Sequence, residues 1–189
     1  PEVIDMNESP LKAVRNKKNS SIVIGVNLVK NNEADAFVSA GNTGAVMSSS
    51  LFNIGRISGI NRPCIATIFP SEKGNTLVLD AGANADSKPK NLLQFAIMGQ
   101  IYSEKILNIN NPKIGLLNIG EEKTKGNKLT VSTYQLMESD SRLKNFIGNI
   151  EGKDIFSEKA DIVVCDGFTG NIVLKTTEGT AGFIMNIFR

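Results

Sequence analysis

The sequence predicts an α/β fold in which a mainly parallel sheet is covered by helices. Three observations support this class. Short apolar runs alternate along the chain with longer segments whose apolar residues recur at helical spacing. Several of the apolar runs end abruptly in polar loops, and open α/β sheets present functional side chains at the carboxyl ends of their strands in this way. The 189 residues, 41% of them hydrophobic, are enough to bury a core of this kind.

The N-terminal third predicts three helices and one strand. Pro10–Arg15 suits a short helix, because Ser9 can cap it and proline is favoured at the first helical position. Residues 21–29 carry valine and isoleucine at helical spacing, which predicts a second helix. Residues 34–39 are predicted as a strand, and residues 46–54 as the helix that follows a turn of small residues.

The middle of the chain predicts an antiparallel strand pair, a long helix and a buried strand. Residues 64–69 and 76–79 are apolar runs joined by a short turn, which is typical of a hairpin. Residues 89–107 repeat apolar side chains four residues apart and therefore predict a helix with one buried face. Residues 113–119 form an apolar run with the pattern of a buried strand.

The C-terminal third continues the alternation. A helix over residues 128–138 precedes a strand at 145–150. Residues 160–165 form the clearest strand of the chain, and a helix is predicted from residue 166 onwards. Alternation of this kind favours parallel strands with helical crossovers. We expect a single α/β core over residues 1–189, with two subdomains flanking a cleft.

Four polar loops follow predicted strands, at Ser39, Asp80, Gly120 and Asp166. Because the carboxyl ends of parallel strands meet at one edge of a sheet, we expect these loops to converge on one site. The loop Gly120–Gly126 is the most charged of them. It is not a P-loop, since its glycines are one residue too far apart and it lacks the required Lys-Ser or Lys-Thr.

Two of these loops have open interpretations. Residues 40–45 fit either a helix cap or an anion site built from the free N–H groups at a helix N-terminus. Asp80 fits either a ligand-binding role or the cap of a turn.

The composition excludes several kinds of chemistry. The sequence contains no histidine, so within these residues neither a Ser-His or Cys-His nucleophile pair nor a histidine-based zinc site can form. We expect no metal and no cofactor, and catalysis that rests on lysine, amide, hydroxyl and carboxylate groups. A net charge of +2 gives no reason to expect nucleic acid as a partner. Cys64 and Cys165 lie in apolar runs and are predicted to be reduced core residues of a cytosolic protein.

Five short motifs follow one another along the chain. They are Ser39-Ala-Gly-Asn-Thr-Gly-Ala45, Leu79-Asp-Ala-Gly-Ala-Asn84, Leu116-Leu-Asn-Ile-Gly-Glu121, Asn145-Phe-Ile-Gly-Asn-Ile-Glu-Gly152 and Asp166-Gly-Phe-Thr-Gly-Asn171. Together they resemble the bacterial phosphate acyltransferase of phospholipid synthesis, the transacylase acting on acyl carrier protein thioesters and inorganic phosphate. The resemblance spans essentially all 189 residues.

The resemblance implies an architecture similar to the isocitrate and isopropylmalate dehydrogenases and to phosphotransacetylase. Chains of this family are longer at both ends. That agrees with a sequence that begins at a proline and stops within an apolar helical pattern, so we expect a central piece of a longer protein.

The resemblance also implies a reaction and its site. Phosphate itself attacks the thioester carbonyl, so no covalent enzyme intermediate is required. Lys125 is expected to neutralise charge on phosphate or the developing oxyanion, and Asn171 to donate a hydrogen bond to the same centre. The residues expected to bind phosphate or substrate are Gly41, Asn42, Thr43, Gly44, Asp80, Asn84, Glu121, Gly126 and Asp166.

Partners and location are implied in the same way. We expect acyl carrier protein thioester and inorganic phosphate as substrates, with arginine and lysine facing the acidic carrier. We also expect a homodimer, a downstream glycerol-phosphate acyltransferase, and a cytoplasmic location with peripheral contact at the inner face of the membrane through regions outside this chain. Two alternatives stay open, a non-catalytic anion- or acyl-binding module and an isocitrate dehydrogenase-like oxidoreductase. The oxidoreductase needs a carboxylate cluster for a divalent metal and a nucleotide loop, and neither motif is visible.

Overall fold

The computed structural model describes residues 2–72 and 74–189. The chain divides into two compact units, Pro1–Ile60 and Asn61–Arg189. The predicted cleft between two subdomains stays a prediction.

The first unit is helical. Its helices are α1 (Pro10–Asn16), α2 (Ser21–Lys30) and α3 (Thr43–Asn53). Pro10 is the first residue of α1, as predicted, although the Ser9 side chain makes no capping hydrogen bond. A small core of buried side chains from all three helices, including Ala13, Val23 and Ala45, holds the unit together.

The strand predicted at residues 34–39 is wrong. The segment is largely exposed and pairs with no other strand in the described parts of the chain. Its aromatic side chain, Phe37, packs on α2 where Gly25 leaves room, and a Cβ at Gly25 would lie 2.2 Å from the Phe37 ring. Of the two large apolar side chains that suggested a strand, Phe37 packs against the helical core of the first unit, whereas Val38 is 92% exposed.

The second unit contains the sheet. Its strands are β1 (Ala66–Ser71), β2 (Gly74–Leu79), β3 (Ile114–Leu117), β4 (Phe146–Ile150) and β5 (Ile162–Val164). Strand order is β1-β2-β5-β3-β4, so the last strand in the sequence lies in the centre. β1 pairs with β2 in antiparallel orientation, which confirms the predicted hairpin, and all the other pairs are parallel.

Helices cover the sheet on both faces. They are α4 (Pro89–Lys105), α5 (Lys128–Ser139) and α6 (Gly167–Ile187). A short 3₁₀ helix, Gly152–Phe156, also covers the sheet and was not predicted from the sequence. Along β5, Ile162 and Val164 point to the cluster formed with α4 and α5, whereas Val163 points to the cluster formed with the 3₁₀ helix and α6. A strand buried on both faces reads as a continuous apolar run, which explains why β5 was the clearest strand in the sequence.

The two ends of α6 differ. Its first turn is packed against the sheet, and Gly167 and Gly170 there are buried. Its last turns carry exposed apolar side chains, including Phe183 and Met185, each 66% exposed. In the parts of the chain that the structure describes, no helix has both the length and the apolar character needed to cross a membrane.

Candidate active site

Three of the four predicted loops leave neighbouring strands at the same edge of the sheet. β2, β5 and β3 are adjacent and parallel, and they lead into the loops that begin at Asp80, Asp166 and Asn118. We call residues 120–126 the charged loop. The fourth predicted loop, residues 39–44, belongs to the first unit and follows no strand.

Asp80 organises the first loop through its carboxylate, which is fully buried. Oδ1 accepts hydrogen bonds from the backbone N–H groups of Ile65, Gly82 and Ala83, at 3.0, 3.2 and 2.9 Å. Oδ2 accepts two more from Asn84, from its backbone N–H and its Nδ2, both at 2.7 Å. Because both oxygens accept hydrogen bonds from the loop and from Ile65, this carboxylate holds the backbone in place. Contact of Asp80 or Asn84 with substrate stays a prediction.

Two glycines let the first turn of α6 approach this loop. A Cβ at Gly170 would lie 1.9 Å from the carbonyl oxygen of Asp80, and one at Gly167 would lie 2.7 Å from the backbone nitrogen of Asn84. The Gly167 N–H donates to the Asn84 carbonyl at 2.9 Å. The glycines of the Asp166-Gly-Phe-Thr-Gly motif are therefore required for backbone contact, and any other residue would separate the helix from the loop.

Asp166 and Asn171 are both positioned by this contact. Asp166 caps α6, with Oδ1 accepting from the Thr169 N–H at 3.0 Å and Oδ2 from the Thr169 hydroxyl at 2.7 Å. Asn171 follows one turn later and is exposed. Its Oδ1 lies 3.4 Å from the point that a Cβ of Gly82 would occupy, so Asn171 sits beside the Asp80 loop.

The backbone of the charged loop is held by hydrogen bonds from two asparagine side chains. Asn118 donates from Nδ2 to the carbonyl of Lys125 at 2.9 Å, and Asn149 donates from Nδ2 to the carbonyl of Glu122 at 2.9 Å. Asn149 is only 4% exposed, so its amide is a fixed anchor at the end of β4. These two clamps fix the backbone that carries Lys125.

Gly126 closes the charged loop in a conformation that only glycine adopts readily. Its φ is +101°, and a Cβ there would lie 2.1 Å from the Thr130 hydroxyl and 2.4 Å from Oδ1 of Asn118. The predicted site residue Gly126 is thus explained by backbone geometry.

The lysines and carboxylates of the charged loop have different surroundings. Glu121 is paired with Lys159, which also binds Asp154. In the described part of the chain, the ammonium of Lys125 has one ion-pair partner, Glu122, at 4.0 Å, and the Lys125 side chain is 51% exposed. Lys125 is therefore the residue of this loop best placed to meet an anionic ligand.

A cavity of about 400 Å³ opens between the charged loop and α6. Gly126 and Asp166 line it, which brings together predicted residues from two loops, whereas Lys125 and Asn171 are not part of its lining. The other lining residues are Leu117, Asn118, Ile119, Asn127, Thr130, Cys165 and Thr169. Sequence reasoning missed the polar members of this set, although Asn118 is the first polar residue after β3.

The N-terminal turns of α5 and α6 both border this cavity. Asn127 caps α5, its Oδ1 accepting from the Thr130 N–H at 3.0 Å. The first N–H groups of a helix have no partner within the helix, and the helix dipole places partial positive charge there. The negative charge of Asp166 repels an anion, but both of its carboxylate oxygens already accept hydrogen bonds from Thr169. The arrangement favours an anionic group that is bound by backbone N–H groups and approached by a lysine.

The turn in the first unit is a helix cap. Asn42 caps α3, with Oδ1 accepting from the Ala45 N–H at 3.0 Å. Its Nδ2 donates to the carbonyls of Asp5, Met6 and Glu8. This confirms the cap interpretation. Phosphate binding by Gly41, Asn42, Thr43 and Gly44 stays a prediction.

Comparison with known proteins identifies the family of this chain. The family model described as "Fatty acid synthesis protein" matches residues 1–189. The chain belongs to the fatty acid synthesis protein family.

Curated relatives of this family member are named phosphate acyltransferase. The relative from Halothermothrix orenii is 62% identical to this chain over 188 residues. The relative from Desulfitobacterium hafniense is 57% identical and the relative from Desulforamulus reducens is 54% identical, each over 189 residues. Each alignment covers 100% of this chain and 56% of the relative. The chain thus spans little more than half the length of these relatives.

Solved structures confirm the fold. A phosphotransacetylase from Streptococcus pyogenes has a TM-score of 0.69 at 20% identity, covering 95% of this chain and 64% of that one. A phosphotransacetylase from Staphylococcus aureus has a TM-score of 0.67 at 15% identity, and the match covers 96% of this chain and 67% of that one. The α/β architecture with a mostly parallel sheet is therefore shared with the phosphotransacetylases.

The two thiols of this family member are poor nucleophiles. Cys165 borders the cavity but is 2% exposed, and burial, with the nearby charges of Asp166 and Asp80, raises the pKa of its thiol well above the ordinary range. Burial, followed by the charge of Asp80, raises the pKa of the Cys64 thiol to about 12. Both thiols are protonated at neutral pH, and a thiol must ionise before it attacks a carbonyl. In the described residues, no group of three or more histidine, cysteine, aspartate or glutamate side chains could hold a metal ion.

Proposed function

We propose that the protein to which this chain belongs transfers a fatty acyl group from acyl carrier protein to inorganic phosphate, giving acyl phosphate for phospholipid synthesis. The observation that carries the proposal is that relatives 54–62% identical over the whole chain are named phosphate acyltransferase. The cavity bordered by two helix N-termini supports it, because such a site suits an anionic substrate.

The proposed reaction needs no nucleophile from the protein. An oxygen of phosphate attacks the thioester carbonyl, the carbon–sulfur bond breaks, and the carrier leaves as a thiolate that takes up a proton. The protein has to hold both reactants in line and stabilise the negative charge that develops on the carbonyl oxygen. The protonated thiols of Cys64 and Cys165 agree with this scheme.

We assign the stabilisation of negative charge in the reaction to Lys125 and Asn171. Lys125 neutralises phosphate or the oxyanion, and Asn171 donates a hydrogen bond to the same centre. The exposed ammonium of Lys125, on a loop held by two asparagine clamps, supports its role. The position of Asn171 beside the Asp80 loop supports its role, because that loop leaves the same edge of the sheet as the charged loop.

The other predicted residues have supporting roles in this proposal. Asp80 and Asn84 hold the loop beside Asn171, and Asp166 orients the first turn of α6. Glu121 ties the charged loop to Lys159. Gly126 forms part of the cavity wall, and phosphate binding by residues 41–44 is proposed from the family resemblance alone.

The test is phosphate-dependent release of free thiol from an acyl-acyl carrier protein by the complete protein. Lys125→Ala is expected to lower turnover about a hundredfold or more, the loss seen when a single oxyanion donor is removed. Lys123→Ala is the matched control, because Lys123 lies in the same loop but is paired with Glu138. We expect the control to retain turnover within about threefold, since exposed ion pairs contribute little.

Wild-type turnover by Lys125→Ala would remove Lys125 from the site. Stabilisation of the protein by phosphate without any thiol release would instead favour a non-catalytic anion-binding module.

We further infer a homodimer, a cytoplasmic location with peripheral contact at the inner face of the membrane, and delivery of acyl phosphate to a glycerol-phosphate acyltransferase. These proposals, and the isocitrate dehydrogenase-like architecture, rest on the family resemblance. Sedimentation of the complete protein with and without anionic vesicles tests the first two.

A further inference from the structure

The three helices of the first unit enclose a groove of about 440 Å³. Val14 and Val23 form its apolar floor, and Phe52 of α3, which is 49% exposed, forms one wall. Arg15 and Lys18 supply the cations, and the remaining lining residues are two asparagines. No carboxylate is among the lining residues, so the groove is apolar at its base and positive at its rim.

The basic run Arg15-Asn-Lys-Lys18 is divided by the fold into two kinds of cation. Lys17 is neutralised by Glu8 at 2.6 Å and also donates to the carbonyl of Val3 at 2.6 Å. In the residues that the structure describes, Arg15 and Lys18 have no carboxylate partner. The guanidinium carbon of Arg15 lies 5.5 Å from the centroid of the Phe52 ring, which holds this cation over the groove wall.

Shape and charge together select the kind of ligand. A concave surface with an apolar base and unpaired cations fits the amphipathic face of an acidic helix, whose apolar side chains enter the groove while its carboxylates meet the rim. A membrane surface would favour a protruding apolar face, and nucleic acid would favour a longer basic stripe than two side chains supply.

We propose that this groove docks an acidic helix of the acyl carrier protein. The proposal rests on the proposed function, which makes that carrier the macromolecular substrate. Unpaired rim cations act mainly on the rate of encounter and on the salt dependence of binding, so the groove contributes to KM for the carrier and leaves the chemical step unchanged.

The experiment compares two charge reversals in the complete protein. Lys18→Glu alters the groove, and Lys30→Glu alters an exposed lysine at the end of α2 that is outside the groove lining. At low salt we expect Lys18→Glu to raise KM for acyl-acyl carrier protein about tenfold or more with kcat within about twofold, and Lys30→Glu to change neither by more than about twofold. The difference is expected to shrink towards about 0.5 M salt, where surface charges are screened.

A second variant tests the apolar part of the groove. Phe52→Ala removes the wall and the ring beneath Arg15, and we expect it to raise KM for the carrier at all salt concentrations, because apolar contact is not screened. Equal KM values for Lys18→Glu, Lys30→Glu and Phe52→Ala would overturn the proposal.

Two further measurements separate this inference from the proposed function and from a membrane role. If the wild-type protein releases no thiol, the proposed function fails, and fluorescence anisotropy with labelled carrier protein then tests docking alone. Loss of that binding in Lys18→Glu supports the groove, and equal binding by all variants overturns it. If Lys18→Glu loses binding to phosphatidylglycerol vesicles while its KM for the carrier is unchanged, the groove is a membrane contact and the inference is wrong.

Discussion

Replacing Gly170 with alanine adds a methyl group where the first turn of α6 touches the Asp80 loop. The new Cβ would lie 1.9 Å from the Asp80 carbonyl oxygen, 2.9 Å from its carbonyl carbon and 3.0 Å from Sγ of Cys165. Two of the three obstacles are backbone atoms, so the helix and the loop must move apart. The same substitution at Gly179, further along α6, meets no atom within 4 Å.

The two substitutions therefore have opposite expected effects. Alanine in a helix interior is more stable than glycine by about 0.5–1 kcal/mol, and Gly179→Ala is expected to show that gain. Overpacking costs about 1–3 kcal/mol, and a backbone obstacle places Gly170→Ala at the upper end of that range. After the gain in helix propensity is included, we expect the free energy of unfolding to fall by about 2 kcal/mol.

Urea unfolding of both variants measures this difference. Because Asn171 follows Gly170 directly, we also expect Gly170→Ala to lose thiol-releasing activity while Gly179→Ala retains it. Equal urea midpoints for the two variants would refute the close contact between α6 and the Asp80 loop.

Three further predictions concern the two thiols with raised pKa values, one ion pair and one loop clamp. The raised pKa values of Cys64 and Cys165 mean that the folded protein keeps protons that the unfolded chain loses above its ordinary thiol pKa of 9.0. We expect the free energy of unfolding to fall above that pH, by about 1.4 kcal/mol per pH unit for each thiol, and a double serine variant to show a shallower slope in urea titrations. The hydrogen bond from Arg142 lowers the pKa of Asp140 from 3.8 to about 2, so the stabilisation is present above the higher value and lost as the pH falls through the lower one. We expect Arg142→Gln to destabilise the protein by about 0.5 kcal/mol at neutral pH and by less in acid, and a pH-independent difference would contradict the ion pair. Asn149→Ala removes a hydrogen bond worth about 1 kcal/mol, so we expect amide exchange in the charged loop to accelerate about fivefold, and an unchanged rate would exclude the clamp.

The elements with local signals were predicted well from the sequence. Pro10 at the start of α1 and the continuous apolar run of β5 both depend on residues close together in the chain. The strand at residues 34–39 failed because a strand requires a partner, and the partner of Phe37 is a helix.

The site was predicted in part. The Asp80, charged and Asp166 loops do meet at one edge of the sheet, which follows from the parallel order of β2, β5 and β3. The sequence did not show that both oxygens of the Asp80 carboxylate accept hydrogen bonds from its own loop and from Ile65, because that depends on where five donor groups point in space. It also missed the clamp from Asn149 to Glu122, a hydrogen bond between residues 27 positions apart.

The sequence alone determined the class of fold, the absence of histidine among these 189 residues, and the family, since composition, periodicity and motifs are properties of the chain itself. The tertiary structure decided which side chains make the hydrogen bonds that hold loops in place and which side chains remain exposed to a ligand. Lys17 and Lys18 are adjacent and chemically identical, yet one is paired with Glu8 and the other lines a groove. Hydrogen bonds and ion pairs depend on distances of a few ångströms between residues far apart in the chain, and only folding sets those distances.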